Sequence, residues 1–152
     1  MVAMSRPPDV PFATTRHIRD HCLCLHVQRA ARTVARRFDE ALRPLGLTNG
    51  QFSLLNGLNR PQPASMGSLA ALLGMDRTTL TAALKPLERR GLVRVAVDPA
   101  DGRGRVLAMT RAGKSLLAAA VPVWKRTHAQ IERPLAKGAP DTLRRDLRKL
   151  SG

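Results

Sequence analysis

The side chains best placed to do chemistry lie on one face of one predicted helix. In the stretch DRTTLTAALKPLERRG, which begins at Asp76, a helical turn of about 100° per residue puts Leu80, Ala83, Leu84 and Leu87 on one stripe. This is the i, i+3, i+4, i+7 spacing of a buried face. The opposite face presents Thr78, Thr81, Ala82, Lys85 and Arg89, and Arg77 joins them as a candidate contact at the start of the helix. Small, hydroxyl and cationic side chains let a helix approach a major groove closely, donate to base edges or phosphates, and touch a thymine methyl. No acidic side chain sits at the centre of this face. A solvated amphipathic helix in any small bundle would show the same period, so the neighbouring elements must decide.

A second cluster gathers His17, His21, Cys22, Cys24 and His26. Three chemistries fit it. Both cysteines could be small apolar side chains packed in an interface. They could form a redox switch, with a helix N-terminus and Arg19, Arg29 or His21 favouring the thiolate for peroxide or disulfide chemistry. Two residues apart on one helix, they would point to nearly opposite sides, so an intersubunit or mixed disulfide fits better than an intrahelical one. Metal binding is the third option, since His17 with His21, or Cys22 with His26, are i, i+4 pairs, but no further ligand set is visible.

The elements that must position the first face follow directly. SMGSLAALLGM, from Ser65, reads as a helix before it, Asp76 as the N-cap of the second helix and Gly91 as its C′ stop, with Pro86 bending it late. Val93, Val95 and Val97 alternate with Arg94 and Ala96 as a half-buried strand. Pro99 to Gly104 makes a turn-rich tip, and Arg105 to Met109 supplies a return strand. A ribbon with Arg103 and Arg105 at or near its tip suits phosphates or a narrow minor groove. Asp101 is expected to order this loop by pairing with the guanidinium of Arg103 or Arg105. Helix, turn, helix and two-stranded wing make duplex DNA the expected partner.

These residues resemble the MarR family of bacterial transcriptional regulators. The likeness is carried by GLTNGQFSLLNGL (46–58), by SLAALLGMDRTTLTAALKPLERRGLV (68–93), and by Asp101, Arg103 and Thr110 in DGRGRVLAMTRAG. It runs from about residue 20 to residue 120. It implies a mainly α fold with a small β wing. A winged helix-turn-helix region at 46–110 would lie between dimerisation helices at 16–45 and 111–152, while residues 1–15 read, from their own sequence, as a mobile arm or an arm packed on a partner subunit. It also implies a homodimer on an inverted repeat, with residues 76–90 as recognition helix and Arg103 as wing arginine. Members often release DNA when a phenolic or aromatic carboxylate binds between the dimer helices and the winged region, and Phe38, Phe52 and Trp124 are the residues here that could line such a cavity. In the family's organic-peroxide sensors the reactive cysteine follows a leucine at the start of the first helix and precedes an Ala-Ala-Ser-Arg-like stretch. Leu23, Cys24 and Ala30, Ala31, Arg32 fall on those positions, which makes Cys24 the better sensor candidate and Cys22 the second.

The rest of the chain is consistent with this. From His17 to Leu42 the stripe Leu23, Val27, Ala30, Val34, Phe38, Ala41 predicts one long helix. Thr48 and Gln51 have capping-box spacing and start a helix to about Leu58. Thr110 starts another, carrying Leu116, Leu117, Val121, Trp124 and Ile131, which Pro122 should kink. Leu143, Leu147 and Leu150 make a short apolar face, read as interface. The 152 residues suit one domain. A formal charge of +15, from 26 Lys and Arg against 11 Asp and Glu, favours a polyanion and strongly salt-dependent affinity. Neither a secretory signal nor a membrane-spanning run is read in the sequence, so a cytoplasmic protein is expected. There is no nucleophile elbow, phosphate-binding glycine loop or HExxH, so neither enzymatic activity nor a cofactor or metal is expected. The sequence therefore points to a DNA-binding regulator, a repressor released by a small molecule or oxidant. The rival reading is an architectural protein that binds DNA without sequence preference.

Overall fold

Seven α-helices and three short strands follow one another in the computed structural model, which describes residues 8–152. Helix α1 spans Phe12–His21 and α2 spans Leu23–Leu42. A 3-10 turn, Arg43–Leu45, leads to α3 (Asn49–Gly57). After β1 (Ala64–Ser65) come α4 (Met66–Leu73), α5 (Arg77–Arg89), β2 (Val93–Val97), β3 (Arg105–Met109), α6 (Arg111–Glu132) and α7 (Ala139–Ser151). The fold is mainly helical with a small antiparallel wing, as expected. The described residues form two compact units, one through Val34 and one over Ala35–Gly152, with the division inside α2.

The larger unit is built on leucine. Leu42, Leu54, Leu55, Leu69, Leu80, Leu87 and Leu107 are fully buried and come from α2, α3, α4, α5 and β3. Full burial of each such side chain contributes about 1.5–3 kcal/mol, so these seven hold the helix-turn-helix to its wing. Local signals set the helix starts. Thr48 accepts from the Gln51 amide while the Gln51 side chain accepts from the Thr48 amide, a complete capping box. Ser65 caps α4, Asp76 caps α5 and Thr110 caps α6. Gly91 has φ +70° just beyond α5, where only glycine turns without strain.

The sheet order is β1-β3-β2, all antiparallel, with Val93 opposite Met109, Val97 opposite Arg105 and Ala64 opposite Leu107. Strand β1 was not expected, because two residues carry no period-2 signal. Along β2 the burial fades from buried Val93 through half-buried Val95 to exposed Val97, so the ribbon leaves the core as it approaches its tip.

Two expectations change at the N-terminal side. The long helix is broken at Cys22, whose backbone is extended at φ −69°, ψ 108°. The Cys22 amide closes α1 by donating to the Ile18 carbonyl, and its own carbonyl accepts from the His26 amide in α2. The periodic stripe begins at Leu23, after the break, and so could not reveal it. The expected arm at 1–15 lies partly outside the described residues, and α1 already begins at Phe12. Helix α6 runs through Pro122 as a single element.

One junction leaves no room for a side chain. The Thr110 amide donates to the Leu92 carbonyl at 3.1 Å and its hydroxyl to the Gly91 carbonyl at 2.6 Å, fixing the first turn of α6 to the end of α5. A Cβ on Gly113 would overlap the Leu92 carbonyl oxygen and stand 3.1 Å from its carbon, both backbone atoms. Gly113→Ala is expected to destabilise the fold by about 3 kcal/mol, through displacement of packed backbone. Gly102→Ala, with nothing near its Cβ position, should be close to neutral. Equilibrium urea unfolding of both variants checks the contrast, and equal midpoints would refute it.

Candidate nucleic-acid interface

Helix α5 is held by its inner stripe, with Leu80, Leu84 and Leu87 buried and Ala83 half-buried. This fixes the outer face. Arg77, Thr78, Thr81, Ala82, Lys85 and Arg89 are all exposed, and all but Arg89 line a shallow depression of about 320 Å³. The Thr81 hydroxyl donates to the Arg77 carbonyl at 2.8 Å within the helix. The two adjacent arginines at the end of α5 differ. Arg90 donates through Nη1 to the Gly46 carbonyl at 2.8 Å, a tether to the turn after α2, whereas Arg89 lies in the last turn of α5 among the exposed face residues.

The wing lies against the same helix. Arg105 at the start of β3 and Lys85 of α5 line one hollow with Glu88 and Val95. Arg103 is exposed in the tip loop. Asp101 orders that loop differently from expectation: its Oδ1 accepts from the Arg103 backbone amide at 3.1 Å. Among the described residues it forms no ion pair with Arg103 or Arg105. A carboxylate this close in sequence meets the peptide N–H of the turn before a guanidinium at the end of a long side chain. The Gly104 amide donates to the Asp101 carbonyl and the Asp98 amide to the Gly104 carbonyl, closing the tip. Arg105 Nη1 donates to the Gly104 carbonyl at 3.1 Å, but among the described residues no carboxylate neutralises Arg103 or Arg105.

A second feature opens beside α6. A cleft of about 440 Å³ is lined by Phe52, Leu72, Leu73, Val121 and Trp124, with Asn49, Ser53, Asn56 and Lys125 as polar groups. Phe52 lines it directly. Phe38 is buried and reaches the cleft only indirectly, stacking on Trp124 at 6.5 Å between centroids. Trp124 also stacks on Phe52 at 6.4 Å and on His128 at 4.6 Å. Lys125 and His128 were missed by sequence reasoning. The i, i+4 spacing of Trp124 and His128 was a usable signal.

In the smaller unit, Cys24 is exposed and its sulfur accepts from Gln28 Nε2 at 3.2 Å, while Arg32 donates to Gln28 Oε1 at 3.1 Å. Cys22 is half-buried at the helix break, so the two cysteines do not share one helix and the expected opposite directions do not apply. His21 and His26 each place Nδ1 2.8 Å from a backbone oxygen, of His17 and Cys22. Among the described residues no three His, Cys, Asp or Glu side chains gather to hold a metal ion. Nor is any helix among them long and apolar enough to cross a membrane.

Helix-turn-helix, wing and a cationic outer face define a winged-helix protein of the DNA-binding kind. The model of the MarR family matches residues 45–104. A solved structure of the Mycobacterium tuberculosis transcriptional regulator MosR in complex with DNA is 40% identical, with a TM-score of 0.78 over 86% of this chain and 94% of that one. The transcriptional activatory protein BadR of Rhodopseudomonas palustris is 39% identical over 77 residues, 49% of this chain and 44% of that protein. This chain thus spans less than half of BadR. Bordetella bronchiseptica BpsR, solved to explain how 6-hydroxynicotinic acid regulates its DNA binding, is 25% identical over 83% of this chain and 96% of that one, with a TM-score of 0.74. The chain belongs to the MarR family, whose similar members are transcriptional regulators and not enzymes.

The N-cap of α5 gives a pH signature. The Thr79 backbone amide, and then the Thr79 hydroxyl, donate to the Asp76 carboxylate at 2.7 and 2.8 Å and hold its pKa below the ordinary carboxylate value. A pKa lowered on folding adds stability that is present above the unfolded value and lost as pH falls through the folded one. Unfolding midpoints of the parent and Asp76→Ala should therefore differ at neutral pH and converge on acidification below the ordinary carboxylate range. A difference that stays constant into strong acid would remove the cap from this account.

Proposed function

We propose that this chain is a sequence-specific DNA-binding transcriptional regulator, a cytoplasmic repressor that binds an inverted repeat as a homodimer. The observation that carries this reading is the exposed face of α5, cationic and hydroxyl-bearing, beside the arginines of the wing. Region 46–110 is the part that meets DNA, with Arg77, Thr78, Thr81, Lys85 and Arg89 in a major groove and Arg103 and Arg105 at phosphates or a minor groove. Regions 16–45 and 111–152 dimerise. Supporting this, Ile18 and Leu23 in the smaller unit are exposed and apolar, and so, in the larger unit, are Leu143, Leu147 and Leu150 of α7. Two half-sites would then lie about one helical turn apart.

In vitro selection of the reduced protein on random duplex DNA at near-physiological salt should enrich an inverted repeat. Tight binding without enrichment would replace this reading with the architectural one. On the enriched repeat, Arg103→Ala should bind more weakly, with a log-log salt slope shallower by about one, because one phosphate-neutralising cation is lost. An unchanged slope would take the wing out of the interface.

Release is proposed to follow an aromatic or phenolic acid entering the cleft at Phe52 and Trp124, with Lys125 as the charge partner for a carboxylate. The likeness to BpsR supports that chemical class. The chain's single tryptophan lines the cleft, so a bound ring should quench or shift its fluorescence at the concentration that releases DNA. A panel of hydroxylated benzoic, cinnamic and nicotinic acids that changes neither signal would exclude this class. The oxidant alternative rests on exposed Cys24 with its Gln28 and Arg32 partners. It requires that organic hydroperoxide release the parent from DNA and leave Cys24→Ser bound.

A further inference from the structure

We propose that α5 reads thymine through its 5-methyl group, with Thr81 and Ala82 as the contacts, and reads guanine through Lys85. This rests on the reading of α5 as the helix that enters the major groove, and it names the bases that helix can recognise.

The side-chain inventory narrows the choice. From Arg77 to Arg89 there is no Asn or Gln, so the paired amide contact to adenine N6 and N7 is unavailable. The helix has one carboxylate, Glu88, which lies outside the depression, in the neighbouring hollow with Lys85, Val95 and Arg105. The depression itself therefore holds no carboxylate for cytosine N4, and its only side-chain acceptors are the hydroxyl oxygens of Thr78 and Thr81. What remains is methyl groups, hydroxyls and cations.

Their arrangement separates the roles. The single Thr81 hydroxyl proton is used on the Arg77 carbonyl at 2.8 Å, so toward a base Thr81 offers no donor, only its methyl group and the lone pairs of its oxygen. Ala82, beside it in the same depression, has only a methyl group. Arg77 and Lys85 stand at the two ends, about 12 Å apart along the helix axis at the usual rise per residue. That spans three to four base-pair steps of about 3.4 Å, so the two small side chains fall between the reaches of the two cations. Lys85 can donate to guanine O6 and N7. A depression of about 320 Å³ on an otherwise convex helix has room for a methyl group without a shift of the backbone.

The test uses the enriched repeat, replacing each thymine in turn by deoxyuridine, which removes only the methyl, and each guanine by 7-deazaguanine. A single deoxyuridine at one position of one half-site should weaken the parent about four-fold, and the same substitution in both half-sites about fifteen-fold, the loss of one and two buried methyl contacts. The Thr81→Ser, Ala82→Gly double variant keeps the serine hydroxyl for the Arg77 carbonyl and should bind thymine and deoxyuridine repeats equally. Each ratio is taken within one protein, so any loss of helix stability cancels. Lys85→Met should likewise lose the parent's sensitivity to one 7-deazaguanine position. The proposal is overturned if every thymine tolerates deoxyuridine, if the double variant keeps the full penalty, or if Lys85→Met keeps its sensitivity to 7-deazaguanine. Failure of the underlying reading looks different: no repeat is enriched, and binding is indifferent to sequence altogether.

Discussion

The exposed cationic and hydroxyl-bearing face of α5 depends on burial of the inner stripe of the same helix. Leu80, Leu84 and Leu87 are buried where α5 packs on α3, α4 and β2, and because they cannot turn outward, Thr78, Thr81, Ala82 and Lys85 cannot turn inward. A helix of thirteen residues is marginal by itself in water. Its conformation and its rotation about its own axis are therefore both set by that packing. The Asp76 cap and the Arg90 tether to Gly46 refine the two ends, each through hydrogen bonds at the exposed surface.

Charge distribution follows from the same frame. The formal charge of +15 is not spread evenly in use. Arg90 holds a backbone carbonyl, Arg144 pairs with Glu132 and Asp141, and Arg19 with Asp20, so these guanidinium groups have partners inside the chain. Arg105 donates to the Gly104 carbonyl, yet among the described residues neither it nor Arg103 pairs with a carboxylate, because Asp101 and Asp98 accept from loop amides. A wing made this way is ordered by backbone contacts and leaves its cations to the outside, which suits a surface that meets phosphates.

Much of this was legible before any coordinates. The buried stripe of α5, the caps at Thr48 and Asp76, the wing strands and the family likeness all have local signatures: a period of 3.6, a Thr or Asp at a helix start, alternating valines. What escaped lacks such a signature. Strand β1 is two residues long and exists because β3 offers it an edge. The break at Cys22 precedes the stripe that defined the helix. The role of Asp101 turned on reach, a property of distances between backbone and side chain that sequence order alone does not supply. Phe38 and Phe52 looked equivalent as aromatic residues, yet only Phe52 lines the cleft, since the difference is one of orientation around Trp124.

The junction at Gly113 gives the unit a mechanical character. With the Leu92 carbonyl pressed against a residue that has no side chain, and Thr110 bonded to both Gly91 and Leu92, α6 meets the end of α5 without clearance. A coupling with no backlash cannot absorb a small displacement at one side. If α6 tilts, the end of α5 must travel with it, and a few degrees at the joint become ångströms at the far tip of a helix about 20 Å long.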